Sequence, residues 1–266
     1  MGGIIEAIRK GFGIASKGMG LVAVLFAFNL IGNLVSLPFT PVPGEAAAPQ
    51  FAAPLLVISL IFILISIFIQ GGSLGLVRDA IKEGKMKLAV MAQYGAKYFI
   101  RLLVLGVLIL LLVVIVALVA GLLIALTAPL NNTVVTGIAI AIAVAIVIIT
   151  MLYFFIPFIL SPYAVVCDEV GAIEALKKSI ALGRKPFSRV FALLMLVVLV
   201  VLISLGVGFL IGLVIGLISA VIPAGAGRIL MIVVSSAVNS YLGVVVTAAF
   251  MTYYLSKKEI VAPIIK

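Results

Sequence analysis

The hydrophobic pattern of the chain consists of long charge-free windows separated by short polar segments. Marking every Asp, Glu, Lys and Arg leaves five windows, namely residues 18–44, 46–77, 102–167, 190–227 and 229–256. A helix needs ~20 apolar residues to cross a hydrocarbon core about 30 Å thick, and each window can supply them. The pattern therefore predicts an all-α integral membrane protein.

The third window is long enough for two membrane spans. Pro129, Asn131 and Asn132 interrupt its otherwise aliphatic sequence and predict a turn there. The window at 190–227 is too short for two spans and a turn, so one long helix is expected in it. Six spans follow, near residues 19–37, 54–76, 102–127, 135–160, 191–221 and 229–254.

The distribution of Lys and Arg predicts the orientation of these spans. Three such residues precede span one, six lie between spans two and three, five between spans four and five, and three follow span six. Arg228 is the exception. The positive-inside rule therefore predicts a multi-pass protein of the cell membrane with both termini in the cytoplasm.

Composition excludes several classes of protein. The chain is 66% hydrophobic and 10% charged, far from the roughly 25% charged expected of a soluble domain. Its net charge of +10 is read as cytoplasmic-side bias rather than as nucleic-acid binding. It has no histidine, which excludes a Ser-His triad and His-based metal ligation. Since the acidic residues are also few and scattered, we expect neither an enzyme nor a cofactor. The predicted spans contain no Asp, Glu, Lys or Arg, so proton-coupled transport is disfavoured.

Two segments of the chain resemble each other. Residues 3–17 and 171–185 align without a gap, with six identities in fifteen positions. The apolar positions at i, i+3 and i+7 are Ile5, Ile8 and Phe12 in one segment and Ile173, Leu176 and Ile180 in the other. Glu6 and Lys10 form an i, i+4 pair that the second segment repeats. Each segment is predicted to be a short amphipathic helix, here called an elbow, lying at the cytoplasmic interface before a span.

A third, weaker copy of this pattern precedes span three. Residues 95–101 share Gly, Lys, Phe and Arg, at the same spacing, with residues 183–189. The chain is thus predicted to be a single membrane domain, 1–266, of three parallel units that each consist of an elbow and a two-span hairpin. The units cover approximately residues 3–77, 79–162 and 168–256. Inverted repeats would favour alternating access more strongly than parallel ones do.

Cations near the starts of two spans are candidate contacts for lipid head groups. Lys97 with Arg101, and Lys185 with Arg189, are i, i+4 pairs of like charge near helix N-termini, where the helix dipole disfavours cations. Anionic lipid of the cytoplasmic leaflet would offset this, contributing about 1 kcal/mol per cation. Lys17 completes the candidate set. Generic anchoring without lipid preference is the alternative.

Polar side chains form a candidate intramembrane face. Asn29 and Asn33 lie one turn apart on span one, while Ser236, Asn239 and Ser240 cluster on span six. Such side chains commonly hydrogen-bond between helices, contributing about 0.6–2 kcal/mol each. A polar pore or a substrate path is the alternative.

Gly208, Gly212 and Gly216 form consecutive small-xxx-small steps on span five. This spacing permits close backbone approach, either within the chain or against a neighbouring subunit.

The single thiol, Cys167, adjoins Asp168 and Glu169, the one local cluster of acids. Asp168 is predicted to be the N-cap of the elbow before span five. Cys167 is expected to react with impermeant reagents from the cytoplasmic side alone.

The stretch from Phe158 to Ser179 resembles a pattern found in uncharacterised prokaryotic membrane proteins. A span ends near Pro162, and then come an acidic residue, Gly171 and the Glu-Ala-Leu-Lys-Lys-Ser run at 174–179. The pattern is also similar to the membrane domain attached to some glycerophosphodiester phosphodiesterases, and residues 71–101 look like an earlier elbow of archaeal relatives. The resemblance covers about half of the chain, without the catalytic domain, and implies a prokaryotic, archaeal scaffold of unknown role.

These observations lead to one expected function and one alternative. The first is a non-enzymatic membrane protein that binds anionic lipid on the cytoplasmic side, or a membrane-protein partner or second copy, through its elbows and glycine-lined spans. The alternative is a passive permease or channel for a small or apolar solute. A pore requires Asn29, Asn33 and Asn239 to line a solvated path, whereas a scaffold requires them to be paired in dry packing.

Overall fold

The computed structural model describes residues 2–37, 52–127, 133–150, 158–184, 187–218 and 224–261. These ranges are helical and contain no strand. Their α-helices are α1 Gly2–Lys17, α2 Met19–Ser36, α3 Ala52–Glu83, α4 Met91–Ala125, α5 Thr133–Thr150, α6 Ser161–Cys167, α7 Ala172–Arg184, α8 Phe187–Ile218 and α9 Ala224–Val261. A short 3-10 helix, Leu88–Val90, precedes α4.

Five helical segments of the described chain are long and apolar enough to cross a membrane. They are Met19–Ser36, Leu56–Glu83, Leu88–Ala125, Thr133–Thr150 and Ile229–Ser256. Each overlaps one of the predicted spans. A further helix of 32 residues, α8, coincides with the predicted span 191–221. The chain is therefore compatible with a multi-pass membrane protein, and five of the six predicted spans overlap a segment that is long and apolar enough to cross a membrane.

The chain divides into two compact units, one comprising residues 1–99 and 192–266 and the other residues 100–191. In the first unit, α9 lies against α1, α2 and α3. The core of this unit lies near one end of the long helices, where α3 buries residues 71–77 and α9 buries most residues of 244–254. Towards the other end, Leu56, Leu60 and many other aliphatic side chains are exposed, as expected for helices that face lipid.

Helix α1 packs on α9 through small residues. Ala7, Gly11 and Ala15 are buried, at the i, i+4 spacing of one helical face. A Cβ added at Gly11 would lie 2.6 Å from the carbonyl oxygen of Val245. Only glycine therefore allows the two backbones to approach so closely.

Glycines also bring α3 and α4 together. A Cβ at Gly72 would lie 2.7 Å from the carbonyl oxygen of Met91, and a Cβ at Gly95 would lie 2.9 Å from that of Phe68. Helix α3 ends at Gly84, whose φ of +69° is readily adopted only by glycine. Between α3 and α4 the described chain contains the 3-10 helix but no separate elbow, unlike the arrangement predicted for the second unit of the repeat.

In the second unit, α6 and α7 contact each other, and six of the seven residues of α6 are buried. The predicted N-cap role of Asp168 is wrong. Asp168 instead ends α6, its backbone N–H donating to the carbonyl of Ala164, while α7 begins only at Ala172. The Asp168 carboxylate lies 3.4 Å from the ammonium of Lys178, with which it forms an ion pair.

Candidate functional site

The predicted polar residues of spans one and six meet as two hydrogen-bonded pairs between α2 and α9. Asn29 Nδ2 donates to Ser240 Oγ at 2.8 Å, and Asn33 Nδ2 donates to Ser236 Oγ at 3.0 Å. Both serines are buried, with 0% and 1% exposure for Ser236 and Ser240. The antiparallel order of the pairs matches two helices that run in opposite directions. Interhelical hydrogen bonds of this kind contribute about 0.6 kcal/mol on average, and up to about 1.7 kcal/mol.

The remaining member of the predicted polar face, Asn239, lies on another side of α9. With Gly243 and Thr247 it lines a cleft between α8 and α9 whose volume is about 940 Å³. In the described part of the chain no group donates a hydrogen bond to the Asn239 amide or accepts one from it. The face predicted as one surface is thus divided between two different surroundings, because adjacent positions of a helix point about 100° apart.

The predicted glycine steps of span five also belong to this cleft. A Cβ at Gly208 would meet no described heavy atom within 4 Å, and one at Gly212 would meet only the flexible end of Met231, at 3.2 Å. Gly216 lies outside the residues whose surroundings are described. The two glycines therefore widen the cleft rather than form a tight helix contact within the described chain.

A cluster of charged and aromatic side chains between α3 and α4 was not anticipated from the sequence. Arg78 and Asp79 are 12% and 17% exposed at the side chain and form an ion pair at 3.1 Å. Tyr94 Oη donates to Asp79 Oδ2 at 2.6 Å, and Arg78 Nη1 donates to Tyr98 Oη at 2.8 Å. The Arg78 guanidinium also lies over the Tyr94 ring, 5.2 Å from its centroid.

This cluster lies on α3 beyond the predicted end of span two at residue 76, and the helix continues to Glu83. Arg78 and Asp79 offset each other's charge, and two tyrosine hydroxyls pair with them. The sequence feature that could have indicated this cluster is the pair Tyr94 and Tyr98. These tyrosines are four residues apart on α4, near the glycines that allow α3 to approach α4.

The candidate head-group cations have different surroundings. Lys17 is exposed at the last turn of α1. Lys97 Nζ lies 5.4 Å from the centroid of the Tyr98 ring, and Arg101 Nη1 donates to the carbonyl oxygen of Glu169. Lys185 lies outside the described residues, and of Arg189 only the backbone, in α8, is described.

The two predicted elbows correspond to α1 and α7, and they share a pattern of burial. Ala7 and Gly11 of α1 are buried, as are Ala175 and Ser179 at the corresponding positions of α7. The corresponding isoleucines, Ile5 and Ile173, are each 62% exposed. In both helices the small residues pack inward while a bulky apolar residue stays outside.

The two i, i+4 ion pairs predicted in these helices are formed. Glu6 and Lys10 lie 3.0 Å apart, and Glu174 and Lys178 lie 3.2 Å apart. Partial burial lowers the pKa of Lys178, but the hydrogen bond to Glu174 and the nearby charge of Asp168 outweigh it and hold the pKa above its ordinary value.

Two further observations concern reactive and metal-binding side chains. Cys167 is only 7% exposed, so the thiol expected to report on topology is shielded from reagents. Within the described ranges, no group of three Cys, Asp or Glu side chains lies close enough to hold a metal ion.

The described chain is all-helical, and its five long apolar segments are compatible with a multi-pass membrane protein. The chain belongs to the family described as a domain of unknown function (DUF7847), whose model matches residues 3–257. No curated protein and no solved structure matches the chain. The family match supports neither the resemblance to the membrane domain of glycerophosphodiester phosphodiesterases nor an archaeal origin.

Proposed function

We propose that this chain is a non-enzymatic integral membrane protein that binds anionic membrane lipid through two interfacial helices, α1 and α7. The observation that carries the proposal is their common burial pattern. Each packs through small residues and leaves an isoleucine exposed, with an exposed cation four residues further on, Arg9 in α1 and Lys177 in α7. An exposed apolar residue next to cations suits the boundary between acyl chains and head groups.

We also propose six spans with both termini in the cytoplasm, α8 being the fifth span. The parallel arrangement of repeated units is part of this proposal. It is supported by the correspondence of Ile5 with Ile173 and of Ala7 with Ala175, in helices that each precede a long apolar helix. The same proposal includes a kinship of the scaffold with the membrane domain of the phosphodiesterases, and an archaeal source.

The alternative of a passive permease has less support. Asn29 and Asn33, two of the three amides that would line a pore, donate to buried serines. A solvated path along this side of α9 would have to break both pairs. Dry packing is what a scaffold requires here.

The depth of the elbows in the bilayer tests the proposal. In a Cys167→Ser background, we would place a fluorophore on cysteine at Ile5 or Ile173, and at Gly13 or Ala181 as matched controls. The controls occupy corresponding exposed positions of the two helices, and a Cβ at Gly13 meets no described atom within 4 Å. Lipid-borne quenchers should act on the labels at 5 and 173, and aqueous iodide on those at 13 and 181.

The same labels also test the orientation. Iodide added only to the cytoplasmic side of sealed vesicles should quench the labels at 13 and 181. If the labels at 5 and 173 respond to iodide as strongly as the controls, α1 and α7 do not lie in the interface. Quenching from the opposite side would overturn the predicted topology.

The cationic contacts require a separate measurement. The variant Lys17→Gln/Lys97→Gln/Arg101→Gln should lower the amount of co-purified anionic lipid at least about fivefold. The control removes three exposed lysines, namely Lys82 in the last turn of α3 and Lys85 and Lys87 between α3 and α4. An equal loss in both variants would mean generic anchoring rather than defined head-group contacts.

A further inference from the structure

The cleft between α8 and α9 is elongated along the two helices. Its lining runs from Val201 to Leu213 on α8 and from Met231 to Thr247 on α9. At a rise of 1.5 Å per residue, these stretches are about 18 Å and about 24 Å long. One lipid tail spans about half of a hydrocarbon core about 30 Å thick, or roughly 15 Å. The cleft is therefore at least as long as one tail.

The cleft has a volume of about 940 Å³. A hydrocarbon chain can lie in such a space without bringing polar groups that the apolar lining would leave unpaired. On its α8 side, Leu205, Phe209 and Leu213 are exposed, so the cleft opens laterally to the surroundings of the helices.

The chemistry of the lining restricts the occupant further. The described lining is apolar except for Ser235, Asn239 and Thr247, and it contains no ionisable side chain, so it offers no opposite charge to a phosphate or a carboxylate. Asn239 lies near the middle of the lining on α9, and its amide can donate two hydrogen bonds and accept others. In an apolar environment such an amide is stabilised by a polar partner.

The position of Asn239 decides where that partner must be. In the apolar segment Ile229–Ser256, Asn239 is about 15 Å from one end and about 25 Å from the other. Head groups at either surface are too far away to reach it. The occupant must therefore carry its own polar group between apolar segments.

We propose that the α8–α9 cleft binds an uncharged lipid whose ester carbonyl or hydroxyl pairs with Asn239 and whose hydrocarbon chain lies against Gly208 and Gly212. This site is distinct from the elbows. A molecule without a charged head group can enter the bilayer interior at far lower cost than a phospholipid can.

The test uses the full-length protein in vesicles and two photoreactive lipids that carry the same diazirine acyl chain. One is a diacylglycerol and the other a phosphatidylglycerol. The diacylglycerol should label peptides within residues 201–213 and 231–247, and should label them several-fold more than the phosphatidylglycerol does. Asn239→Leu should reduce this labelling about three- to tenfold, the loss expected for one hydrogen bond in lipid.

Filling the cleft provides a second variant that does not depend on the polar contact. Gly208→Leu should reduce labelling at least tenfold, whereas Gly206→Leu adds the same side chain to α8 at an exposed glycine that does not line the cleft. A Cβ meets no described atom within 4 Å at either glycine, so both variants should fold.

Four results would overturn the proposal. The first two are diacylglycerol labelling confined to other helices and equal labelling by the two lipids. The other two are wild-type labelling in Gly208→Leu and cross-linking between two copies of the chain at position 239. Failure of the elbow proposal is distinguishable, because the labels at Ile5 and Ile173 report on α1 and α7 alone.

Discussion

Helix α9 has two contrasting sides. On one side it meets α1 and α2, where Gly11 allows close backbone approach and Ser236 and Ser240 accept hydrogen bonds from asparagines. On the other side it meets α8 across an open cleft, where Asn239 has no hydrogen-bond partner in the described chain. Ser240 and Asn239 are neighbours in the sequence, yet one is buried and the other exposed.

The contrast shows that residue type does not determine the role of a polar side chain in a membrane helix. Ser236 and Ser240 of α9 pair with asparagines of α2, whereas Ser235 and Asn239 line the cleft, so the direction of each side chain decides its surroundings. A polar group that faces a neighbouring helix with a complementary group contributes to packing. One that faces a cleft is available to a ligand.

The largest expected effect on stability is on the side of α9 that packs against α1 and α2. Gly11→Leu should destabilise the protein by about 3 kcal/mol, because its Cβ would collide with the carbonyl of Val245 and separate α1 from α9. The measurement is SDS-induced unfolding followed by circular dichroism. Gly13→Leu is the matched control on the same helix, and it should cause no loss because its Cβ meets no described atom within 4 Å. Equal stability of the two variants would mean that α1 does not pack as described.

The hydrogen-bonded pairs should give an intermediate effect. A double-mutant cycle with Asn33→Ala and Ser236→Ala should show a coupling energy of about 0.6–1.7 kcal/mol, since each change removes one partner of the same bond. The same unfolding assay provides the four free energies. Pairing Asn33→Ala with Ser235→Ala is the control, because Ser235 donates to the carbonyl of Ile232 instead. Additive effects in the Asn33–Ser236 cycle would argue against the pair.

The smallest effect on stability is expected on the side of α9 that faces the cleft. Asn239→Ala and Gly208→Ala should each change the free energy of unfolding by no more than about 0.5–1 kcal/mol, because neither residue has a close partner in the described chain. Unfolding in SDS, with lipid removed, is again the measurement. A loss as large as that of Gly11→Leu would show that the cleft is closed in the folded protein and would remove the distinction between the two sides.

The positions of the helices were largely predictable from the sequence. The windows between charges located α2, α5 and α9, because a helix in hydrocarbon cannot carry unpaired charges. The repeated Glu–Lys spacing located α1 and α7, since i, i+4 pairs occur on helix surfaces.

The charged cluster beyond predicted span two was not predicted. There Arg78 pairs with Asp79 and Tyr98, on the part of α3 that continues to Glu83. This compensation depends on α4 lying against α3. No count of charges along the sequence could reveal it.

The candidate site was predictable only as a set of residues. Asn29, Asn33, Ser236, Asn239 and Ser240 were recognised as polar positions in apolar helices, without their partners. The pairs of α2 with α9, and the separation of Asn239 from them, follow from the rotation of each helix about its axis. That rotation is determined by contacts such as that of Gly11 with Val245.

The amino-acid sequence by itself indicated apolar helices long enough to cross a membrane, because apolar length and the absence of charge act locally along each segment. Only the tertiary structure decided which side of each helix packs tightly against a neighbouring helix. Small residues permit close approach but do not specify a partner, so Gly11 lies tightly against α9 whereas Gly208 borders an open cleft. The difference arises from the packing of neighbouring helices. It cannot be predicted from the spacing of glycines along the chain.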